Sequence, residues 1–180
     1  LGLGYPGGPA VERLAATGDA KRFALPRPLI REDSCDISLS GLKTAVLHAA
    51  QGVAGADGRL SPRDAADLCA SFQQALGDCL LDRARRALVR ANPVTALVLA
   101  GGVAANNRLR DRFAALAADH GLPCIAPPAW LCTDNAAMIA WAGLERFALG
   151  LAGDSLAVPA RARWPLDAEA APARGAVAKA

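Results

Sequence analysis

Apolar positions along the chain fall into two rhythms. Between residues 61 and 91, Leu68, Phe72, Leu76, Cys79, Leu80, Ala84 and Leu88 recur at three- and four-residue spacing, which predicts one long amphipathic helix. Ser61-Pro62-Arg63-Asp64 opens it, with the serine as N-cap and the proline in the first turn, and Asn92-Pro93 stops it. The rhythm then changes. Ala96-Leu97-Val98-Leu99-Ala100 is an unbroken apolar run closed by Gly101-Gly102, which predicts a strand buried on both faces, the usual state in a parallel sheet. Leu109, Phe113, Leu116 and Ala117 return to helical spacing, with Asn106 or Asn107 as the N-cap and Gly121 at the end. Leu122 to Ala126 predicts a second short strand, closed by Pro127-Pro128. A last helix starts at Asp134 or Asn135 and runs through Met138, Trp141, Ala142, Leu144 and Phe147 to Gly150. From about residue 94 this alternation predicts α/β architecture.

The first sixty residues are less regular. Residues 1–8 read as the end of a helix entering a glycine turn, with Pro9, Val11, Leu14 and Ala15 in a helix that ends near Gly18. Pro26, Pro28 and the acidic stretch to Asp36 form an irregular connection. Ile37 and Leu39 alternate with Ser38 and Ser40, a strand signal, before a helix from about Gly41 to Gln51 and a loop from Gly52 to Gly58. Arg161 to Pro165 reads as coil. One domain over residues 1–165 is expected, and 166–180, rich in alanine with scattered charge, read as a disordered tail.

Bulk properties narrow the picture. The chain of 180 residues is long enough for one real core. Its net charge of +3, from 20 basic and 17 acidic residues, permits a nucleic-acid partner without a basic block to argue for one. No apolar run approaches a membrane span and no segment has the order of a signal peptide, so a cytoplasmic protein without a membrane partner is expected. The five cysteines, at 35, 69, 79, 124 and 132, form no CxxC pair and read as reduced, mostly buried thiols. The first residue is Leu1 rather than Met, which suggests a piece of a longer protein.

Four stretches carry candidate chemistry. Gly101-Gly102 between a strand and a helix exposes backbone N–H groups where an anion can sit, or is an ordinary turn that needs glycine; it matches neither GxxxxGK[ST] nor GxGxxG. Tyr5-Pro6-Gly7-Gly8-Pro9 is a second glycine turn before a helix, with Glu12 one turn on and able to reach a ribose hydroxyl; the alternative is a tight interhelix turn. Ser38-Leu39-Ser40-Gly41-Leu42-Lys43-Thr44 is a third turn, in its simplest reading capped by Ser40. Asp134, in Cys132-Thr133-Asp134-Asn135, is either an N-cap or a carboxylate aimed at a metal from the sheet edge that also holds Gly101-Gly102. His48 and His120 belong to no ligand motif, so the chain does not assemble a three-ligand metal site from adjacent motifs.

Taken in chain order, Tyr5-Pro6-Gly7-Gly8-Pro9, Ser38-Leu39-Ser40-Gly41-Leu42-Lys43-Thr44, Ala100-Gly101-Gly102-Val103-Ala104-Ala105-Asn106, Cys132-Thr133-Asp134-Asn135-Ala136-Ala137-Met138-Ile139-Ala140 and Arg163-Trp164-Pro165-Leu166 resemble the C-terminal part of the tRNA N(6)-adenosine threonylcarbamoyltransferase family, once described as glycoprotein endopeptidases. The resemblance covers about residues 1–166. It implies an actin-like ATPase fold, shared with sugar kinases and heat-shock ATPases, of which this chain is the C-terminal portion with the N-terminal lobe missing. It implies an acyltransferase that moves threonylcarbamoyl from threonylcarbamoyl-AMP to the exocyclic amine of adenosine 37 (t6A) in tRNAs reading ANN codons. By the same resemblance Gly8, Glu12, Gly101, Gly102 and Asn106 hold the adenylate, and Asp134 is one ligand of a single divalent metal, iron or zinc. The other ligands would come from a His-x-x-x-His motif that this chain lacks. Further implied partners, in bacteria, are a paralogous dimerising subunit and a small P-loop ATPase. Without the histidines and the N-terminal phosphate loops, the isolated chain is expected to have little or no transferase activity. Two alternatives are a metallopeptidase, for which no Glu–metal motif is visible, and a non-catalytic paralogue acting as a dimerisation scaffold, against which Asp134 and Asn106 argue.

Overall fold

The computed structural model describes residues 1–153 except Asn92, together with 155, 157 and 158. The coil expected at Arg161 to Pro165 and the tail expected at 166–180 lie outside the described residues. Two compact units are present, Leu1–Asn135 and Ala136–Ala180.

The long helix dominates the first unit. It spans Pro62–Arg90 and is numbered α3, after α1 at Gly7–Ala15 and α2 at Leu42–Val53. Ser61 caps it as expected, its hydroxyl oxygen accepting the Asp64 N–H at 3.1 Å. Three apolar clusters line its length. Leu68 and Ala75 pack with Leu25 and Leu42. Cys69 and Ala70 meet Ala15 of α1. Leu81 and Leu88 meet Leu109, Phe113 and Leu116 of the helix α4, Asn107–Asp119. One helix thus presents residues to three partners, because its apolar positions wrap well past a single narrow stripe. Gly18 shows how closely the chain approaches it: a Cβ there would sit 2.1 Å from the carbonyl oxygen of Ala66.

The connection at 19–36 is irregular, as its prolines predict, and is held to α3 by polar contacts. Asp67, almost fully buried, accepts the Asp19 N–H at 2.7 Å and an Arg22 N–H at 2.8 Å. The hydrogen bond from the Asp19 backbone, then that from Arg22, holds the Asp67 carboxyl below the usual carboxylate range. Further along, Arg83 is 4% exposed and donates to the carbonyls of Leu29, Glu32 and Ser34 at 2.9, 3.1 and 2.7 Å.

Several expectations need correction. Residues 1–4 are not helical; α1 begins directly at Gly7, after a cis Tyr5–Pro6 bond. No strand forms at 37–39, and Ser40 does not cap α2; Gly41, in the left-handed region, precedes that helix without a side-chain cap. The serines there bond locally, Ser38 Oγ accepting the Ser40 N–H at 3.2 Å, so the alternation serves a turn instead of a ladder. The two expected strands shrink to β1, Leu97–Val98, and β2, Cys124–Ile125, paired in parallel with Leu97 opposite Cys124. Burial on both faces is not observed: Leu97 and Leu99 pack toward α3 and α4, whereas Val98 is 66% exposed. With only two strands, Val98 and Ile125 on the opposite face are left exposed.

All five cysteines are free, and Cys69, Cys79 and Cys132 are buried. Burial raises the thiol pKa of Cys69 and Cys79, which keeps both protonated and inert. In the second unit, α6 runs over Ala136–Ala148 and ends where Gly150 adopts φ +67°, as its sequence predicts. Among the described residues no helix is long and apolar enough to cross a membrane.

Candidate functional site

Because β1 and β2 are parallel, the loops that follow them leave at the same edge of the sheet, where α/β proteins gather ligands. After β1 the chain does not enter α4 directly. Gly101 turns it at φ +84°, a region that favours glycine, and Gly102–Ala105 form a 3₁₀ turn. Asn106 then caps α4, its Oδ1 accepting the Leu109 N–H at 2.9 Å. Of the two asparagines, the first is therefore the cap.

This turn faces a cavity of about 560 Å³, within the range of small-ligand sites. Gly8 and Glu12 of α1 line it together with Gly102 and Asn106. Val11, Phe72, Leu76, Val103 and Leu109 supply apolar walls. Four of the five residues expected to hold an adenylate thus meet around one space, although they come from stretches some ninety positions apart in the chain. The fifth, Gly101, is the hinge just before this wall and does not line it.

The polar groups are tied together. A Glu12 carboxylate oxygen accepts the Asn107 N–H at 2.8 Å, bridging α1 to the first turn of α4, where a negative charge meets the positive helix end. Asn106 Nδ2 donates to Gln73 Oε1 at 3.0 Å. Gln73 was not singled out from the sequence, yet it lines the cavity and is 6% exposed. The N-terminus of α1 has no side-chain cap, so its first N–H groups, at Gly7 and Gly8, are left for solvent or a ligand.

The loop after β2 carries Asp134. Pro127-Pro128 lead into a short helix that the sequence did not announce, α5, Ala129–Cys132. Arg110 of α4 fastens this loop to the glycine turn. Its Nε donates to the Ala104 carbonyl, and its Nη2 to the Pro127 carbonyl at 2.7 Å and toward Cys132 Sγ at 3.0 Å. Asn135 folds back on the same loop, donating to the Thr133 carbonyl at 3.0 Å. Cys132, two residues before Asp134, is thereby fixed beside the turn, while Asp134 itself is exposed. Among the described residues no group of three or more His, Cys, Asp or Glu could hold a metal ion. One carboxylate does not by itself make a metal centre, so Asp134 could be at most one ligand of a metal. The third motif goes elsewhere: Leu39, Leu42 and Lys43 border a separate, largely apolar cavity of about 370 Å³.

Glycine turns, an open helix start and an amide pair above apolar walls define the class: an α/β protein with a cavity of small-ligand size at the carboxyl ends of its parallel strands. Comparison with known families is more specific. The family model of tRNA N6-adenosine threonylcarbamoyltransferase matches residues 1–141, and the chain belongs to that family. It is 58% identical to the tRNA N6-adenosine threonylcarbamoyltransferase of Novosphingobium aromaticivorans over 181 aligned positions, covering 100% of this chain and 49% of the relative. It is 54% identical to that of Paracoccus denitrificans, covering 98% and 49%, and 58% identical to that of Rhizobium etli, covering 94% and 47%. The chain therefore spans about half the length of the curated relatives it matches.

Proposed function

We propose that this chain is the C-terminal portion of a threonylcarbamoyltransferase of actin-like ATPase fold, and that its cavity holds the adenylate part of threonylcarbamoyl-AMP. The observation that carries the reading is the convergence of Gly8, Glu12, Gly102 and Asn106 on one space of nucleotide size. The apolar walls suit a planar base. Glu12 suits sugar hydroxyls, and the N–H groups at the start of α1 suit a phosphate.

In the reaction, the exocyclic amine of adenosine 37 attacks the carbamoyl carbonyl carbon. A C–N bond forms, the bond from that carbon to the phosphate oxygen breaks, AMP departs, and the amine proton passes to solvent. The residues of this chain contribute by holding AMP still, so that the attacking amine and leaving phosphate stay aligned. Donors at a helix start also stabilise the charge left on the departing phosphate. Asp134 would offer one donor to a divalent metal, iron or zinc, whose remaining ligands lie outside this chain; such a metal would supply Lewis acidity at the carbonyl. tRNA is the proposed acceptor, with a paralogous dimerising subunit and a small P-loop ATPase as partners in the cytoplasm.

The test is reconstitution of the full-length protein, together with the dimerising subunit and the P-loop ATPase, with threonylcarbamoyl-AMP and unmodified tRNA reading ANN codons. Formation of the t6A nucleoside is expected, with little or none from residues 1–180 alone. Absence of modified nucleoside from the full-length protein would overturn the reading.

A further inference from the structure

The cavity contains a polar group that neither the sequence motifs nor the comparisons assign. A backbone N–H can only donate, so the bond from Leu109 N–H fixes the Asn106 amide with its oxygen toward α4. Asn106 Nδ2 must then be the donor to Gln73, and Gln73 must present its oxygen to it. That leaves Gln73 Nε2 pointing away from Asn106. Among the described residues nothing accepts from this nitrogen, and no side-chain nitrogen or oxygen is both sealed from solvent and unpaired. Gln73 is 94% buried and borders this cavity, the space its Nε2 can open into.

We propose that Gln73 is a specificity-determining residue of the pocket: its locked amide donates an N–H to an acceptor atom of the bound nucleoside, a ring nitrogen or a sugar oxygen. The inference rests on the reading that the cavity takes an adenylate. The relay has a physical rationale. A free glutamine can turn its amide to suit donor or acceptor, whereas this one is held in one orientation and discriminates between them. An unpaired amide in an apolar pocket favours the ligand that satisfies it. Glu12, which also lines the cavity, offers the opposite polarity, so the two groups read different atoms of one ligand.

The experiment measures binding of AMP to the full-length protein by calorimetry, for wild type, Gln73→Glu and Gln73→Leu. Gln73→Glu keeps the size and the acceptor for Asn106 but replaces the donor with a carboxylate oxygen; affinity is expected to fall at least about tenfold at a temperature where the variant is still fully folded. Gln73→Leu keeps the approximate volume and removes the donor without adding charge, along with the acceptor for Asn106 Nδ2, for a loss of about fivefold. Wild-type affinity in both folded variants would overturn the proposal while leaving the adenylate reading standing. A loss of affinity in both that disappears at temperatures where the variants are fully folded would assign Gln73 to the core and also overturn it. Failure of the wild-type protein to bind AMP would overturn both readings together.

Discussion

Arg110 is the side chain whose loss should separate the loop carrying Asp134 from the turn carrying Asn106. Its guanidinium reaches Ala104, which is fully buried, together with Pro127 and Cys132. A hydrogen bond from a charged donor contributes roughly 1.5–3 kcal/mol when buried, and Arg110 is half-buried, so three bonds together are worth about 3 kcal/mol rather than their simple sum. Arg110→Met keeps the apolar stem and removes the bonds. About 3 kcal/mol is a factor of roughly one hundred in the opening equilibrium of that loop. The assay is amide hydrogen exchange of the full-length protein, read on peptides spanning 127–135. The Leu131 N–H, bonded to the Pro128 carbonyl at 2.9 Å, is a suitable reporter. Its exchange should accelerate about a hundredfold, while amides in the middle of α3 keep their protection. Arg110→Lys should recover little, because an ammonium cannot place donors on three acceptors spread around a planar fork. Wild-type protection of Leu131 in Arg110→Met would refute the reasoning, since the loop would then be held by something else.

Other outcomes follow from the packing against α3. Gly18→Ala sets a methyl against the Ala66 backbone, which cannot swing aside as a side-chain tip can; a loss of roughly 1–3 kcal/mol is expected, read from the urea midpoint. Arg83→Met strips the partners from three carbonyls of the 29–34 segment and should cost roughly 3–5 kcal/mol, with trypsin cutting at Arg31 much sooner than in wild type. Asp67 titrates below an ordinary carboxylate, so its stabilising effect is complete above the unfolded value of about 3.9 and disappears as the pH falls through the lower folded value. Urea midpoints measured down this acid limb should drop for wild type, and Asp67→Asn should start lower and drop less.

Where sequence and structure agree, a local rule was enough. The length and cap of α3, the Asn106 cap and the end of α6 each depend on a few neighbouring residues whose backbone preferences point the same way. The strands were over-read for a physical reason. An apolar run reports the hydrophobicity of a segment but not how many strands lie beside it, and a two-strand pair leaves Val98 and Ile125 uncovered on one side. Ser38 and Ser40 alternate with apolar residues as a strand would, yet short hydroxyl side chains compete for the backbone and close a turn. At the cavity, the motif residues were legible because glycines and a capping asparagine stand out. Gln73 did leave a trace, a polar residue between Cys69 and Leu76 on an apolar face, which is the pattern of a buried amide with a partner. Arg110 left none: one more arginine in the first turns of a polar helix carries no sign that it reaches across to another loop.

The long helix also sets a phase relation. Gln73 faces the cavity, Asp78 pairs with Arg27 and Arg112, and Arg83 grips the segment ahead of α2. These jobs are spaced along one rigid rod that advances about 100° per residue. A single residue inserted between Gln73 and Asp78 would rotate everything downstream by that angle, turning the ion-pairing carboxylate out of reach while leaving the helix itself intact. The rod behaves as a camshaft, on which timing between stations matters more than the strength of any one of them.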